Sequence, residues 1–308
     1  MPGGSGRRPV PRVIAGDNEA VCELDECIAA LGESGFEPQD EASLLHVAGW
    51  LRRLGNNRDF LARVVLSELA ARYREDDGSS VYGPQVIMLS APGGEFFLRA
   101  NIWPSREEHA FRASGGHSFV YGLPHDHNFD FLTLGYFGPG YWSDYWEYEH
   151  RAVAGAVAEE AGLRFAGRAR LEPGKVLHYR AHRDVHSQLP PAALSVSLNV
   201  MHAGGAQGWL DQYRFDTVRD RIAAVLSAGA SEVFLRIAVG LGGEEAYDLA
   251  EHFAHSHPSD RMRLCALEAR AGVLDAADRE ELWRRAETSG SRLIALEARR
   301  HREALADP

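Results

Sequence analysis

The sequence predicts a mainly β fold with helical flanks. Three observations carry that prediction. Residues from about 78 to 217 are rich in Gly, Pro and aromatics and hold short β-branched or alternating runs. The stretch before them, 17–77, carries three amphipathic helical patterns. The stretch after them, 218–308, returns to good helix formers. Many short strands with close turn signals point to an antiparallel sandwich or a small barrel in the middle.

In chain order, residues 1–16 are Gly-, Pro- and Arg-rich and read as a disordered tail. NEAVCELDECIAALG is the first helical pattern, with Asp17 or Asn18 as its cap and Gly32 at its end. ASLLHVAGWLRRLG is the second, with Leu44, Leu45, Val47, Trp50, Leu51 and Leu54 on its apolar stripe. NRDFLARVVLSELAARYRED is the third, with Phe60, Leu61, Val64, Leu66, Leu69 and Tyr73. Strands are expected near 84–90, 95–103, 117–122, 129–137, 141–149, 163–171, 174–180, 193–202 and 212–216. Ala91-Pro92-Gly93-Gly94 and Gly138-Pro139-Gly140 read as turns, because Pro fixes its own φ and Gly supplies a positive one. The segment 152–162 fits an inserted helix or a strand pair. In the C-terminal region Arg263–Arg270 resembles Arg292–Arg299 at an offset of 29, with a weaker copy from Phe234. Stacked helix pairs repeat at such spacings, and shared helix-forming composition produces the same likeness by chance.

The chain has 308 residues, enough for one large domain or two modest ones. A net charge of −11 argues against non-specific nucleic-acid binding. Cys22, Cys27 and Cys265 form no CxxC pair, so a reducing, cytoplasmic setting is expected. No run approaches 18 apolar residues, and no apolar segment follows the basic start, so neither a membrane span nor a secretory signal is expected. No GxSxG, Walker A or strand-bound GxGxxG occurs.

The chemistry concentrates in His125-Asp126-His127. Side chains two apart on an extended chain point the same way, so these imidazoles converge, and converging imidazoles hold transition metals. A further ligand is available from His178, His182 or His186. Each histidine also has an ordinary role as a surface or hydrogen-bonded core residue, and Asp126, of opposite parity, would then face solvent. Tyr136, Tyr141, Trp142, Tyr145, Trp146 and Tyr148 form either an aromatic wall around an organic substrate or core packing. Glu147 and Glu149 are candidates to orient ligating histidines, or else lie on a solvated face.

The order HxH, Glu172-Pro173-Gly174 turn, strand, late His and closing strand AALSVSLNVM resembles the cupin superfamily over about residues 80–217. The resemblance implies a jelly-roll β-barrel with one metal held by His125, His127 and His186. The helical ends lie outside it, as a cover, a dimer surface or a docking surface for a protein partner. Many cupins add a Glu four or five residues after the second His. Phe131 and Leu132 stand there, with Asp130 one residue early. A carboxylate-free face resembles the thiol dioxygenases, the cysteine dioxygenase type. There an arginine holds the substrate carboxylate, and Arg99 is the counterpart. That family's inward Ser-His-Tyr is Ser197, Asn199, Met201 here, so its catalytic tyrosine is missing. The resemblance implies a non-haem Fe(II) oxygenase acting on a small polar or acidic molecule and O₂. Arg99, Tyr136 and Trp146 would line the substrate, and Asp130, Glu147, His178 and Asn199 would support the centre. Zn, Mn or Ni in the same site would instead serve isomerase, lyase or hydrolytic work. A barrel that only senses a ligand is the third reading.

Overall fold

The computed structural model of the chain describes residues 11–75, 85–91, 94–205 and 207–306. They contain β1 (Arg12–Ile14), α1 (Leu24–Ser34), α2 (Glu41–Asn56), α3 (Phe60–Glu75), β2 (Val86–Met88), β3 (Phe96–Trp103), α4 (His109–Ser114), β4 (Phe131–Phe137), β5 (Tyr141–Glu147), β6 (Arg164–Leu171), β7 (Val176–Tyr179), β8 (Asp184–Gln188), β9 (Ser195–His202), β10 (Tyr213–Asp216) and β11 (Arg221–Val225). Five helices follow: α5 (Ala230–Leu241), α6 (Glu244–Ser256), α7 (Asp260–Ala271), α8 (Ala276–Ala286) and α9 (Arg292–Ala306). The fold is therefore mixed rather than mainly β. The chain divides into two compact units, Met1–Tyr148 with Leu163–Gly205, and Glu149–Gly162 with Ala206–Pro308.

In the first unit, β1-β7-β4-β9-β3-β2 form one antiparallel sheet and β6-β5-β8 a second. The sequence predicts a jelly-roll barrel; the strands form two antiparallel sheets, and among the described residues no ladder joins them into a ring. Alternation explains how the large sheet sits. On β3 and β9, Leu98, Ala100, Val196, Leu198 and Val200 join the core formed with α1 and α2. Arg99, Asn101, Ser197 and Asn199 have the opposite parity and take the other face. That face meets the small sheet through Trp103 and Tyr141, whose ring centroids lie 4.3 Å apart, and through Tyr145 and Tyr179, whose hydroxyls lie 3.0 Å apart. Both faces of the large sheet are thus buried, and the inner one is unusually polar.

α2 fixes the helical layer. Asp40 caps it by accepting from the backbone N–H groups of Ala42 and Ser43. Leu44, Val47, Leu51 and Leu54 are buried, whereas Leu45 is exposed and Trp50 half-buried. Gly55 lets this helix approach β4 closely: a Cβ there would meet Leu134 Cδ2 at 2.7 Å. The Gly138-Pro139-Gly140 hairpin also needs its glycines. Both have positive φ, and a Cβ on Gly140 would lie 1.9 Å from the Leu171 carbonyl oxygen.

Several sequence expectations are revised. Arg12–Ile14 pairs with β7 instead of joining a disordered tail. α1 starts at Leu24, because Asn18 uses its side chain in a local turn to Ala20 N–H, and it ends at Gly35, not Gly32. Residues 117–122 give a short 3₁₀ turn, Gly116–Phe119, where a strand was expected. Leu66 and Leu69 on α3 are exposed, and Tyr73 lies outside the described side chains, as do Pro92 and Gly93 of their expected turn and the helix-to-strand boundary at Asp77-Gly78.

In the second unit, residues 152–162 are neither an inserted helix nor a strand pair. They run as loop with one bridge, Glu160 to Arg221. β10 pairs with β11, and α5 to α9 enclose their own core around Leu235, Leu267, Trp283 and Ile294. The two similar stretches, 263–270 and 292–299, fall on α7 and α9, which pack together.

Candidate metal centre

β8 carries His186 and is buried along its whole length. The HxH segment runs beside it. His125 N–H donates to the His186 carbonyl at 3.0 Å, and His186 N–H donates back to His125 at 2.9 Å. This two-bond bridge is what places the three imidazoles together. His127 is pinned next to it, since its carbonyl accepts from His182 N–H at 2.8 Å. The ring centroids of His125, His127 and His186 are 4.5 to 5.1 Å apart, and one nitrogen from each lies within 4.8 Å of the others.

Hydrogen bonds outside the cluster choose which nitrogens face inward. His125 Nδ1 lies 2.7 Å from the Leu123 carbonyl and donates to it, leaving Nε2 for the centre. His186 Nδ1 faces the Gln188 amide at 3.0 Å. The Nε2 atoms of His127 and His186 stand 3.0 Å apart, closer than two lone pairs sit without a proton or cation between them. Burial holds all three rings in the neutral form: His127 and His186 lie well below the ordinary histidine pKa, and His125 below it. Neighbouring imidazoles add to that effect at His127 and His186, and the Arg99 charge adds to it at His127. Neutral, buried, convergent Nε2 donors suit a first-row transition metal, and among the described residues no carboxylate joins them.

Asp126 is not solvated, contrary to the sequence expectation. It is fully buried and accepts from Tyr148 Oη at 2.6 Å. The bond anchors the peptide between the two histidines from behind. Tyr148→Phe is expected to cost about 2 kcal/mol, the range of a hydrogen bond to a buried charge, read from a shift in urea midpoint. An unchanged midpoint would show that Asp126 is held by its other contacts.

The remaining candidates scatter. Arg99 reaches the site: its charge acts on both His127 and Tyr141, and burial lowers its pKa to about 10. Asn199 faces the same interior and donates to the Arg99 carbonyl at 3.4 Å. Asp130 and His178 are not at the centre. They bond each other at 2.8 Å, on side chains whose parity sends them to the opposite face of the large sheet from Phe131 and Tyr179. Tyr136 is also turned away. It packs edge-on against Phe60 and donates to the Asn57 carbonyl at 2.8 Å, in the helix–sheet core. Trp146 lies on the outer side of β5 against Phe165. Glu147 is held by Arg180 and Arg183 at 2.9 and 3.2 Å, and Glu149 belongs to the second unit. His182 sits in a left-handed turn and is half-buried. Sequence reasoning missed Gln188, although two-residue parity after His186 would have found it. It also missed the Tyr145–Tyr179 pair, whose Tyr179 ring is 4.6 Å from His186.

No family model matches the chain, and no curated protein matches it. Among solved structures it is similar to the DMSP lyase DddQ from Ruegeria pomeroyi DSS-3, at 8% identity and a TM-score of 0.26 over 63% of this chain and 78% of that one. It is similar to a Pseudomonas putida prolyl-4-hydroxylase at 10% identity and a TM-score of 0.21, over 58% and 77%. Vicilin from Solanum melongena follows at 9% and 0.21, over 41% and 32%. TM-scores of this size carry no argument. No described helix is long and apolar enough to cross a membrane.

Proposed function

We propose that the protein is a metal-dependent enzyme of the cupin type, a non-haem Fe(II) oxygenase acting on a small acidic molecule with O₂. One observation carries the reading: three buried, neutral histidines converge beside a buried arginine that has no carboxylate partner among the described residues. Arg99 Nε is buried without a hydrogen-bond partner among the described residues, and no acidic side chain joins the triad. A divalent ion held by neutral imidazoles, next to a guanidinium, leaves a dry site strongly positive. An anionic substrate supplies the missing charge. Iron(II) bound by His125, His127 and His186 would provide the redox centre at which substrate and O₂ meet. The chain's own part is to orient the acid group with Arg99, to keep the imidazoles neutral, and to exclude water with Phe129, Phe131 and Tyr179, which pack around His127 and His186.

A second reading, Lewis-acid lyase or isomerase work with Zn, Mn or Ni, is favoured by the Tyr145–Tyr179 hydroxyl pair. Burial keeps both phenols protonated, and a phenol beside a metal site suits proton transfer. Oxygen consumption separates the two. The oxygenase reading expects O₂ uptake by the iron-loaded protein with a panel of small carboxylic acids, lost in Arg99→Gln. Turnover of an acid with no O₂ consumed would transfer the assignment to the Lewis-acid reading.

A further inference from the structure

The inner face of the two sheets holds polar groups that no described residue satisfies. Its other polar side chains show what satisfaction looks like there: Trp103 Nε1 donates to Ser197 Oγ at 3.0 Å, Ser195 Oγ accepts from Gly140 N–H at 3.1 Å, and Asn199 bonds the Arg99 carbonyl. Buried polar atoms are nearly always paired in this way, so exceptions are informative. Four fall together. Arg99 Nε, Asn101 Oδ1, Thr133 Oγ1 and Ser143 Oγ are buried with no hydrogen-bond partner among the described residues.

Register places these four around one interior. Arg99 and Asn101 are two apart on β3 and share a face. Thr133 lies in the same row as Arg99, because Asn199 on β9 pairs with both. Ser143 belongs to the facing sheet, where it pairs with Gln188, two residues beyond the ligand His186. Tyr141 and Tyr145 lie near the Thr133 and Ser143 hydroxyls without reaching bonding geometry. The interior therefore runs from the triad past Arg99 to a patch of uncharged polar groups.

We propose that this interior takes a hydroxylated small carboxylic acid, with its acid group on Arg99 and its hydroxyl on the Asn101–Thr133–Ser143 patch. This rests on the metal-site reading for the place of the ligand, and it adds the second half of the recognition. An apolar tail would leave three uncharged polar groups buried and unsatisfied. A second acid group would be buried there without a cation. A hydroxyl has one donor and two lone pairs, so it can give its proton to the Asn101 amide oxygen and accept from the Thr133 and Ser143 hydroxyls.

The test is calorimetric binding to the full, metal-loaded chain, using 3-hydroxybutyrate and 4-hydroxybutyrate, each against butyrate. At least one hydroxy acid is expected to bind about tenfold tighter than butyrate, the effect of a well-made hydrogen bond to a buried group. Asn101→Leu is expected to bring that ratio close to one. Any chelation of the metal by the hydroxyl is common to both proteins, so the change in ratio isolates the patch. Ser143→Ala serves the same purpose should Asn101→Leu fail to fold. Arg99→Gln is expected to weaken all three probes in parallel. Equal binding of hydroxy acids and butyrate to the wild type would overturn the proposal, as would a ratio that survives both patch variants. Metal content measured on the same samples keeps the two readings apart: metal retained with no hydroxyl preference defeats only the patch, and a chain that never takes up metal defeats the site.

Discussion

His186→Ala strips the protein of its metal. The wild type, purified without chelators or reconstituted anaerobically with Fe(II), is expected to hold about one ion per chain by plasma mass spectrometry, and the variant essentially none. The size of the effect follows from the donor set. Among the described residues no fourth protein ligand stands ready to compensate, so losing one of three nitrogens removes a third of the protein's grip. Gln188→Leu is the informative companion. With an ion on His186 Nε2, the ring proton sits on Nδ1, and the Gln188 amide, whose nitrogen stands 3.0 Å away, would turn over to accept it through its carbonyl oxygen. Removing that acceptor leaves all three ligands in place and is expected to weaken metal affinity about 10- to 100-fold. Equal metal content in wild type and His186→Ala would mean that the cluster is not the binding site. Metal lost from His186→Ala but held unchanged by Gln188→Leu would confine the chemistry to the three rings.

The triad was legible because parity and spacing are local. HxH on an extended segment puts both rings on one side, and the Pro-Gly turn announces the strand system that returns with His186. What the sequence did not show is set by pairing across the chain. Asp126 looks solvated by parity alone, yet its far side is filled by Tyr148, 22 residues away. Tyr136 looks like an aromatic wall until α3 brings Phe60 against it, which sends it into the helix–sheet core. Asp130 and His178, both attractive as site residues, are each other's partner on the outer face. The polar inner row was visible as the alternation Ser195, Ser197, Asn199 on β9, but its meaning depends on the helical layer. Once α1 and α2 bury the apolar side, the polar side has no solvent to face. Strand count and turns give the two antiparallel sheets, whereas ring closure depends on edge pairing that alternation does not encode.

Removing metal should make the protein sensitive to mild acid, and the sign follows from burial. In the folded chain His127 and His186 lie well below the ordinary value of 6.5, and His125 below it, because desolvation penalises the charged ring. Released by unfolding, the same side chains take up protons near pH 6.5. The unfolded state then binds more protons, so stability is complete above about pH 6.5 and declines as the pH falls below it. Three such groups give a limiting slope of about 4 kcal/mol per pH unit. His150 in the second unit, also lowered by burial, acts in the same direction. The carboxylates whose pKa is depressed, Asp216 and Glu281 among them, lose their contribution only at lower pH, so the window from about 6.5 to 5 reports on histidine. Urea titrations of the metal-free chain across that window are expected to show the midpoint falling steeply. His127→Leu should flatten the slope by about 1.4 kcal/mol per pH unit, because one buried imidazole no longer waits to be protonated. Bound metal protects the folded state in the same window, since an ion on Nε2 and a proton compete for one lone pair. A flat stability profile, or a slope that His127→Leu leaves intact, would mean that the three rings are not held neutral together. The arrangement would then lose its main physical mark as a ligand set prepared for a cation.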